Sequence, residues 1–366
     1  MVEAARTWRS SLASWDVLVP VLAIVALAVT WESKPPSLIL AAIGLLLAGS
    51  ILAAVHHAEI VAHRVGEPFG TLILALAVTV IEVALIVTLM VTQGSDTSTL
   101  ARDTVFAAVM ITTNGILGIS VLIAALRHHV AEFNAEGTAS ALATVITITT
   151  LSLVLPRFTT STPGPDFAPA QLTFAAVASL ALYGLFVVIQ TIRHREYFVP
   201  DDEAPDDPAR GALPTSRETV RSLVLLLIAL VAVVGLAKVE SPAIEDAITA
   251  IGAPASAVGV VIALLVLLPE TIAAVRNAKA GRVQASLNLS LGSAMASIGL
   301  TIPVIAIASI WLEGPLVLGL GATQIVLLSI TAVVAALTIL PGRATIQEGG
   351  VHLVLFAAFL VLAVRP

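Results

Sequence analysis

Eleven continuous apolar stretches decide what this chain can fold into. They run near 15–31, 38–55, 70–92, 103–126, 139–155, 170–192, 220–237, 251–275, 286–311, 315–340 and 349–364. A helix that crosses the hydrocarbon core of a bilayer needs about 20 predominantly apolar residues. Turns marked by Pro35-Pro36, Gly94-Ser95, Pro163-Gly164-Pro165, Gly314-Pro315 and Pro341-Gly342 separate most of the stretches. The runs do not alternate in polarity and are too long for barrel strands. Charged residues make up only 11% of the 366 positions and mean hydropathy is +1.02. A soluble domain carries about 25% charged residues, so this chain lacks the charge to coat a water-facing surface. The expected fold is therefore an all-α polytopic membrane protein of about 11 transmembrane helices.

Composition removes further classes. With no cysteine there is no disulfide framework, thiolate zinc site or iron–sulfur cluster. The net charge is −6 and no basic run is long enough to neutralise a phosphate backbone, so no nucleic-acid partner is expected. The expected partners are cations and the lipid bilayer. Arg6 and Arg9 precede the first stretch and Ala26-Leu27-Ala28 is a small-x-small site, the layout of a signal peptide. It is read as a retained first helix, since nothing downstream resembles an exported soluble domain.

Lysine and arginine set the expected orientation. With the N-terminus inside, cytoplasmic segments hold 13 of the 18 Lys+Arg, from Arg6 to Arg343, and outer segments hold Lys34, Arg102, Arg157, Lys238 and Arg365. This predicts a cytoplasmic N-terminus, an external C-terminus and a bacterial inner membrane location. Residues 193–219 are the longest polar stretch and carry Asp201, Asp202, Glu203, Asp206 and Asp207 among prolines. They read as a solvated cytoplasmic linker.

Of the 24 Asp+Glu, twenty-two fall in loops or at helix ends, and two fall well within the spans: Glu82 in the third and Glu270 in the eighth. A charged side chain at the bilayer centre costs about 2.5–3.5 kcal/mol even on insertion scales, and such residues mark ion or proton pathways. The two stand at corresponding places. Gly66-Glu67-Pro68 precedes Glu82 and Gly252-Ala253-Pro254 precedes Glu270; Asn114 with Gly118, and Ser297 with Gly299, follow on the next helix. The organisation predicted is residues 1–37 as an N-terminal segment with the first helix, 38–192 as a five-helix repeat, 193–219 as the linker, and 220–366 as a second repeat. An odd helix count per repeat inverts the second copy, and inverted repeats with midplane polar residues mark transporters. Pro269, directly before Glu270, breaks helical hydrogen bonding and frees carbonyls that a cation can engage. Asn288, Ser293 and Ser297 on the ninth helix, and Thr112, Thr113 and Asn114 on the fourth, supply oxygens suited to a hard cation. Gln324 reads as an interhelical hydrogen-bonding residue.

The stretch from Leu267 to Pro303 contains L-L-P-E-T-I, then N-L-S-L-G-S-A-M-A-S, then T-I-P. It resembles the second signature repeat of the calcium/cation antiporter superfamily, in which a P-E or N-A-x-E element precedes a G-S element on the next helix. Arg127 to Pro156, with Phe133-Asn134 and Leu153-Val154-Leu155-Pro156, is similar to the calcium:proton exchanger branch. So is the end of the sixth helix, with Leu182-Tyr183, Gln190 and His194-Arg195. The likeness is greatest to bacterial sodium/potassium/calcium–proton antiporters of the ChaA type. The resemblance implies that Glu82 and Glu270 are the essential ion-binding carboxylates. Asn114 and Ser293 match its helper positions, with Asn288 and Ser297 beside them. No cofactor is implied; the ions are Ca²⁺, Na⁺, K⁺ and H⁺. Val78-Thr79 and Val266-Leu267 stand where the family has Gly-Asn, Val80-Ile81 replaces any proline before Glu82, and Met110 stands where the first repeat often has serine. Fewer oxygens imply a site that also handles Na⁺ or K⁺.

The expected function is secondary antiport of Ca²⁺, and also Na⁺ or K⁺, for H⁺ by alternating access. The rival readings are a monovalent Na⁺(K⁺)/H⁺ antiporter without significant Ca²⁺ transport, a passive channel, and a histidine-box membrane metalloenzyme. His56, His57, His63, His128 and His129 all fall on the expected cytoplasmic side, but there is no H-E-x-x-H and no repeated H-x-x-H-H box.

Overall fold

The computed structural model describes residues 14–31, 33, 35–66, 69–93, 98–198, 213–254, 256–311 and 316–366. Arg6, Arg9, Lys34, Glu67, Pro68, the Gly94-Ser95 and Gly314-Pro315 turns and the acidic residues of the linker lie outside them. The helices are α1 Trp15–Thr30, α2 Ser37–Val65, α3 Phe69–Gln93, α4 Leu100–His128, α5 Ala135–Arg157, α6 Pro169–Arg193, α7 Ser216–Ala250, α8 Ala257–Val266, α9 Leu268–Lys279, α10 Val283–Ala308, α11 Ala322–Ile339 and α12 Ile346–Val364. Among the described residues eight are long and apolar enough to span a membrane; α8 and α9 reach that length and apolarity only together, bent by 52° at the break between them, as in a broken span or a re-entrant loop. α1 and the Leu76–Val91 part of α3 are shorter apolar helices.

The chain forms two compact units, each drawing on both halves of the sequence: 1–92 with 210–247, and 93–209 with 248–366. In the first unit, α1 packs along α2, with Val17, Ala23 and Leu27 facing Ile43, Leu47, Ile51 and Ala54 in its core. The bare Cα of Gly235 on α7 leaves the space that the Leu27 side chain of α1 fills.

In the second unit, α10 is the central helix, packing against α6, α5, α9 and α4. Its buried face mixes small residues (Ser286, Ser290, Ala294, Ser297) with Leu287, Leu291, Ile298 and Ile302, and the missing side chain of Gly299 seats Tyr183 of α6. α12 packs along α4 through Gly118 and Gly349. The only strands among the described residues are β1 Ala131–Glu132 and β2 Arg343–Ala344, which pair antiparallel. Here the segments that the charge count assigns to one membrane side meet. Arg127 donates to the Lys279 carbonyl, Asn134 N–H donates to Gln284, and Asn288 donates to the Phe198 carbonyl. Segments assigned to the other side also meet: Gly319 donates to Pro165, Val317 to Ser98, and Arg102 to Gly319.

Four boundaries differ from the hydropathy reading. α2 runs on to Val65, so His56, His57 and His63 lie within it, and His57 is buried with Nε2 3.0 Å from the Asp16 carbonyl of α1. α7 runs on to Ala250 past Pro242. The eighth stretch is two helices, because Leu267, two residues before Pro269, leaves the helical region (φ −86°, ψ 3°). α11 starts at Ala322, not 315: residues 317, 319 and 320 give their N–H groups to Ser98, Pro165 and Leu153, which holds this apolar segment out of the helix.

The two Gly-x-Pro elements begin alike. Gly66 ends α2 with φ +78°, and Gly252 follows α7 with φ +72°, a backbone that L side chains resist.

Candidate ion-binding carboxylates and their surroundings

In the first unit Glu82 lies on the stripe of α3 that carries Val78, Thr79, Ile86 and Leu89, at 3-to-4-residue spacing, all buried. Glu82 itself is 3% exposed. Val80 and Val91 occupy the exposed side of the same helix.

In the second unit Glu270 is 6% exposed and sits in the first turn of α9, directly after Pro269. The break therefore places the carboxylate at a helix N-terminus, where unpaired N–H groups favour negative charge. One turn on, the Ala274 carbonyl accepts from Ser286 Oγ of α10 at 2.8 Å, and Ser286 Oγ also lies 2.7 Å from Ser120 Oγ of α4. This serine pair ties the acid-bearing helix, α10 and α4 together.

The middle of α4 widens into a π-helical segment, Ile111–Ile116, which re-registers its carbonyls. Ser290 of α10 donates to the Thr112 carbonyl at 2.6 Å, while Thr112 and Thr113 turn their hydroxyls back to Ala108 and Val109. Asn114 lies within this segment and is fully buried. Its Nδ2 donates to Thr331 Oγ1 of α11 at 3.0 Å, and its Oδ1 lies 3.1 Å from Nδ1 of His352 on α12. The other ring nitrogen of His352 is 3.2 Å from Thr338 Oγ1. An amide oxygen has two lone pairs, so Asn114 retains one acceptor site beyond His352.

The remaining sequence-selected residues take different places. Ser297 is buried on α10, and Ser293 is half-buried one turn earlier. Asn288 is committed elsewhere: its Oδ1 accepts from Gln284 at 2.7 Å and its Nδ2 donates to Phe198 O. Gln324 bridges helices as expected, donating to Asp103 Oδ1 at 3.3 Å.

Three buried polar side chains escape hydropathy reasoning. Asp103 stands in the first turn of α4, 3% exposed, with Arg102 Nη2 2.8 Å from its Oδ1; the pair neutralises itself. His352 is one histidine in an otherwise apolar run. Glu240 is the third. The expectation that two carboxylates lie within the spans is corrected here, because α7 continues ten residues past it and buries it to 7% exposure.

A membrane-spanning helix bundle with acids and amides buried inside it is the makeup of an ion transporter. A model of the family described as sodium/calcium exchanger protein matches residues 36–192 and 221–365, and the chain belongs to that family. It is 43% identical over 356 residues to "Putative ionic transporter y4hA" of Sinorhizobium fredii, covering 96% of each chain. It is 34% identical over 353 residues to "Sodium-potassium/proton antiporter ChaA" of Escherichia coli, covering 94% of this chain and 95% of that one. Among solved structures the fold is similar to the H⁺/Ca²⁺ exchanger CAX, with a TM-score of 0.72 at 17% identity over 94% of this chain and 86% of that one. It is likewise similar to native YfkE, with a TM-score of 0.71 at 15% identity over 96% and 99%. The protein is thus a multi-pass membrane protein of a cation-exchanging, antiporter family.

Proposed function

We propose that the protein exchanges Ca²⁺, and also Na⁺ or K⁺, for H⁺ by alternating access, with Glu82 and Glu270 as the paired ion- and proton-binding carboxylates. The observation that carries this is the burial of one acid in each unit, at 3% and 6% exposure, within membrane helices. Bare carboxylates in a low-dielectric medium are costly. A divalent cation neutralises both, and so do two protons. If only neutralised forms change sides, cation and protons exchange. A monovalent cation plus one proton also neutralises the pair. Asn114 and Ser293 serve as helper ligands, with Ser297 beside them; Asn288, held by Gln284 and Phe198, takes no part. The Pro269 break frees backbone carbonyls near Glu270. The protein works in the bacterial inner membrane with its N-terminus in the cytoplasm.

A second reading, monovalent Na⁺(K⁺)/H⁺ exchange without significant Ca²⁺ transport, is favoured by the 34% identity to a protein named as a sodium-potassium/proton antiporter. Everted vesicles with a fluorescent pH probe, given Ca²⁺, Na⁺ and K⁺ in turn, separate the two. Proton release on Ca²⁺ addition supports the first reading; release with Na⁺ or K⁺ alone supports the second. Cation flux without proton movement would overturn both.

A further inference from the structure

Glu240 is a titratable group that the proposed exchange does not use. It lies on α7 in the first unit, well inside a helix that continues to Ala250. Its Oε1 stands 3.0 Å from where a Cβ on Gly44 of α2 would be, so the carboxyl group occupies space that any other residue at 44 would fill. Its Oε2 is fully buried and has no hydrogen-bond partner among the described residues.

Among the described residues, the titratable groups on the helices of this unit near Gly44 and Leu27 and on α7 itself are few. The α2 stretch around Gly44, from Ser37 to Val55, has no titratable residue. On α1 the one titratable residue is Asp16, at the far end from Leu27, where α7 packs. On α3 it is Glu82. On α7 itself Lys238 lies with Nζ 4.2 Å from the Trp31 ring centroid, Glu245 accepts from Ser241, and Asp246 is exposed. Arg217, Glu218 and Arg221 occupy the other end of that helix.

A buried carboxyl in a membrane helix must be neutralised. A hard cation requires several oxygens around it. A proton requires one oxygen, and Oε2 is that oxygen.

We propose that Glu240 is a third proton-binding site, binding and releasing one proton within the membrane bundle in addition to Glu82 and Glu270. The acid then adds its own titration to the pH dependence of exchange.

The test is Glu240→Gln in everted vesicles, with cation-driven proton release measured across pH. Glutamine keeps the shape and cannot titrate. The expected result is an activity-versus-pH curve displaced by about half a unit or more and less steep than wild type. A curve superimposable on wild type would overturn the proposal. If the variant does not reach the membrane, the wild-type protein decides. Dicyclohexylcarbodiimide attaches to protonated carboxyls in apolar surroundings, and peptide mass mapping reads where. Label on Glu240 that rises as pH falls supports the proposal; no label on Glu240 at any pH overturns it. Glu82→Gln and Glu270→Gln keep the readings apart. If exchange persists in both while Glu240→Gln moves the curve, the paired-carboxylate reading fails and this one stands.

Discussion

The Nδ1 atom of His352 lies 3.1 Å from Oδ1 of Asn114, with both side chains wholly buried. Since Asn114 gives its Nδ2 hydrogen to Thr331, its oxygen is fixed as the acceptor and His352 Nδ1 carries the hydrogen. Thr338 then donates to Nε2. The chain of bonds joins α4, α11 and α12 and fixes which way the Asn114 amide faces. His352→Ala leaves two buried partners unsatisfied. We expect a loss of about 1–3 kcal/mol in stability, read as a lower melting temperature in detergent, and weaker apparent cation affinity in vesicles. His352→Asn, which retains a donor, is expected to recover part of both.

In the exchange proposed above, neutralising either carboxylate removes one of the two charges that cation and protons compete for. Glu82→Gln and Glu270→Gln are each expected to abolish cation-driven proton release at every pH while leaving the melting temperature within a few degrees of wild type. Full activity in either variant removes that residue from the mechanism. In the wild-type protein, release is expected to strengthen as pH rises, because protons compete with the cation for the same oxygens.

Pro269→Ala restores an N–H donor where the span is broken. Expected outcomes are a straighter α8–α9 span, unchanged or greater thermal stability, and at least a tenfold loss of exchange, about 1.4 kcal/mol in transition-state terms. A variant that exchanges at the wild-type rate would show that the break is only a bend.

Gly118 meets α12 so closely that an added Cβ would lie 2.8 Å from His352 Cβ and 3.2 Å from the Gly349 carbonyl. Gly118→Val is therefore expected to overpack the contact and cost about 1–3 kcal/mol, measured by thermal unfolding. The same change at Gly184, which has no atom within 4 Å of its would-be Cβ, is expected to cost far less.

In the loop between α5 and α6, burial raises the carboxyl pKa of Asp166, whose Oδ1 is buried without a hydrogen-bond partner among the described residues. A folded-state pKa above the unfolded one means that the contribution to stability is present at low pH and fades as pH rises through the folded value. Asp166→Asn is expected to flatten this dependence, with a higher melting temperature than wild type near neutral pH and none of that advantage in acid.

Much of this was legible in the chain because a bilayer leaves few options. Long apolar runs must become helices, and Pro269 beside Glu270 flags the place where one of them breaks, whereas Pro20, Pro242 and Pro303 stand inside continuous helices. What escaped did so for local reasons. The polarity of Lys238 and Glu240 ends the seventh apolar run, but the helix continues because Lys238 lies over Trp31 and Glu240 fits against Gly44. His352 gives no signal within an apolar run, since its partners Asn114 and Thr338 come from other helices. Apolar residues 316–321 look like the start of a helix, but their N–H groups are claimed by Ser98, Leu153 and Pro165. No periodicity announces the π-helical segment at Asn114, whose Thr112 carbonyl is satisfied by a serine far along the chain.

The pairing of β1 with β2 is only two residues long, Ala131 opposite Ala344 and Glu132 opposite Arg343. It nonetheless fastens the connection between α4 and α5 to the one between α11 and α12. These four rods are laced at one rim, so a hinge that separates them there must first unzip backbone bonds, whereas bending at the π-helical segment or swinging about Leu267 leaves the lacing intact.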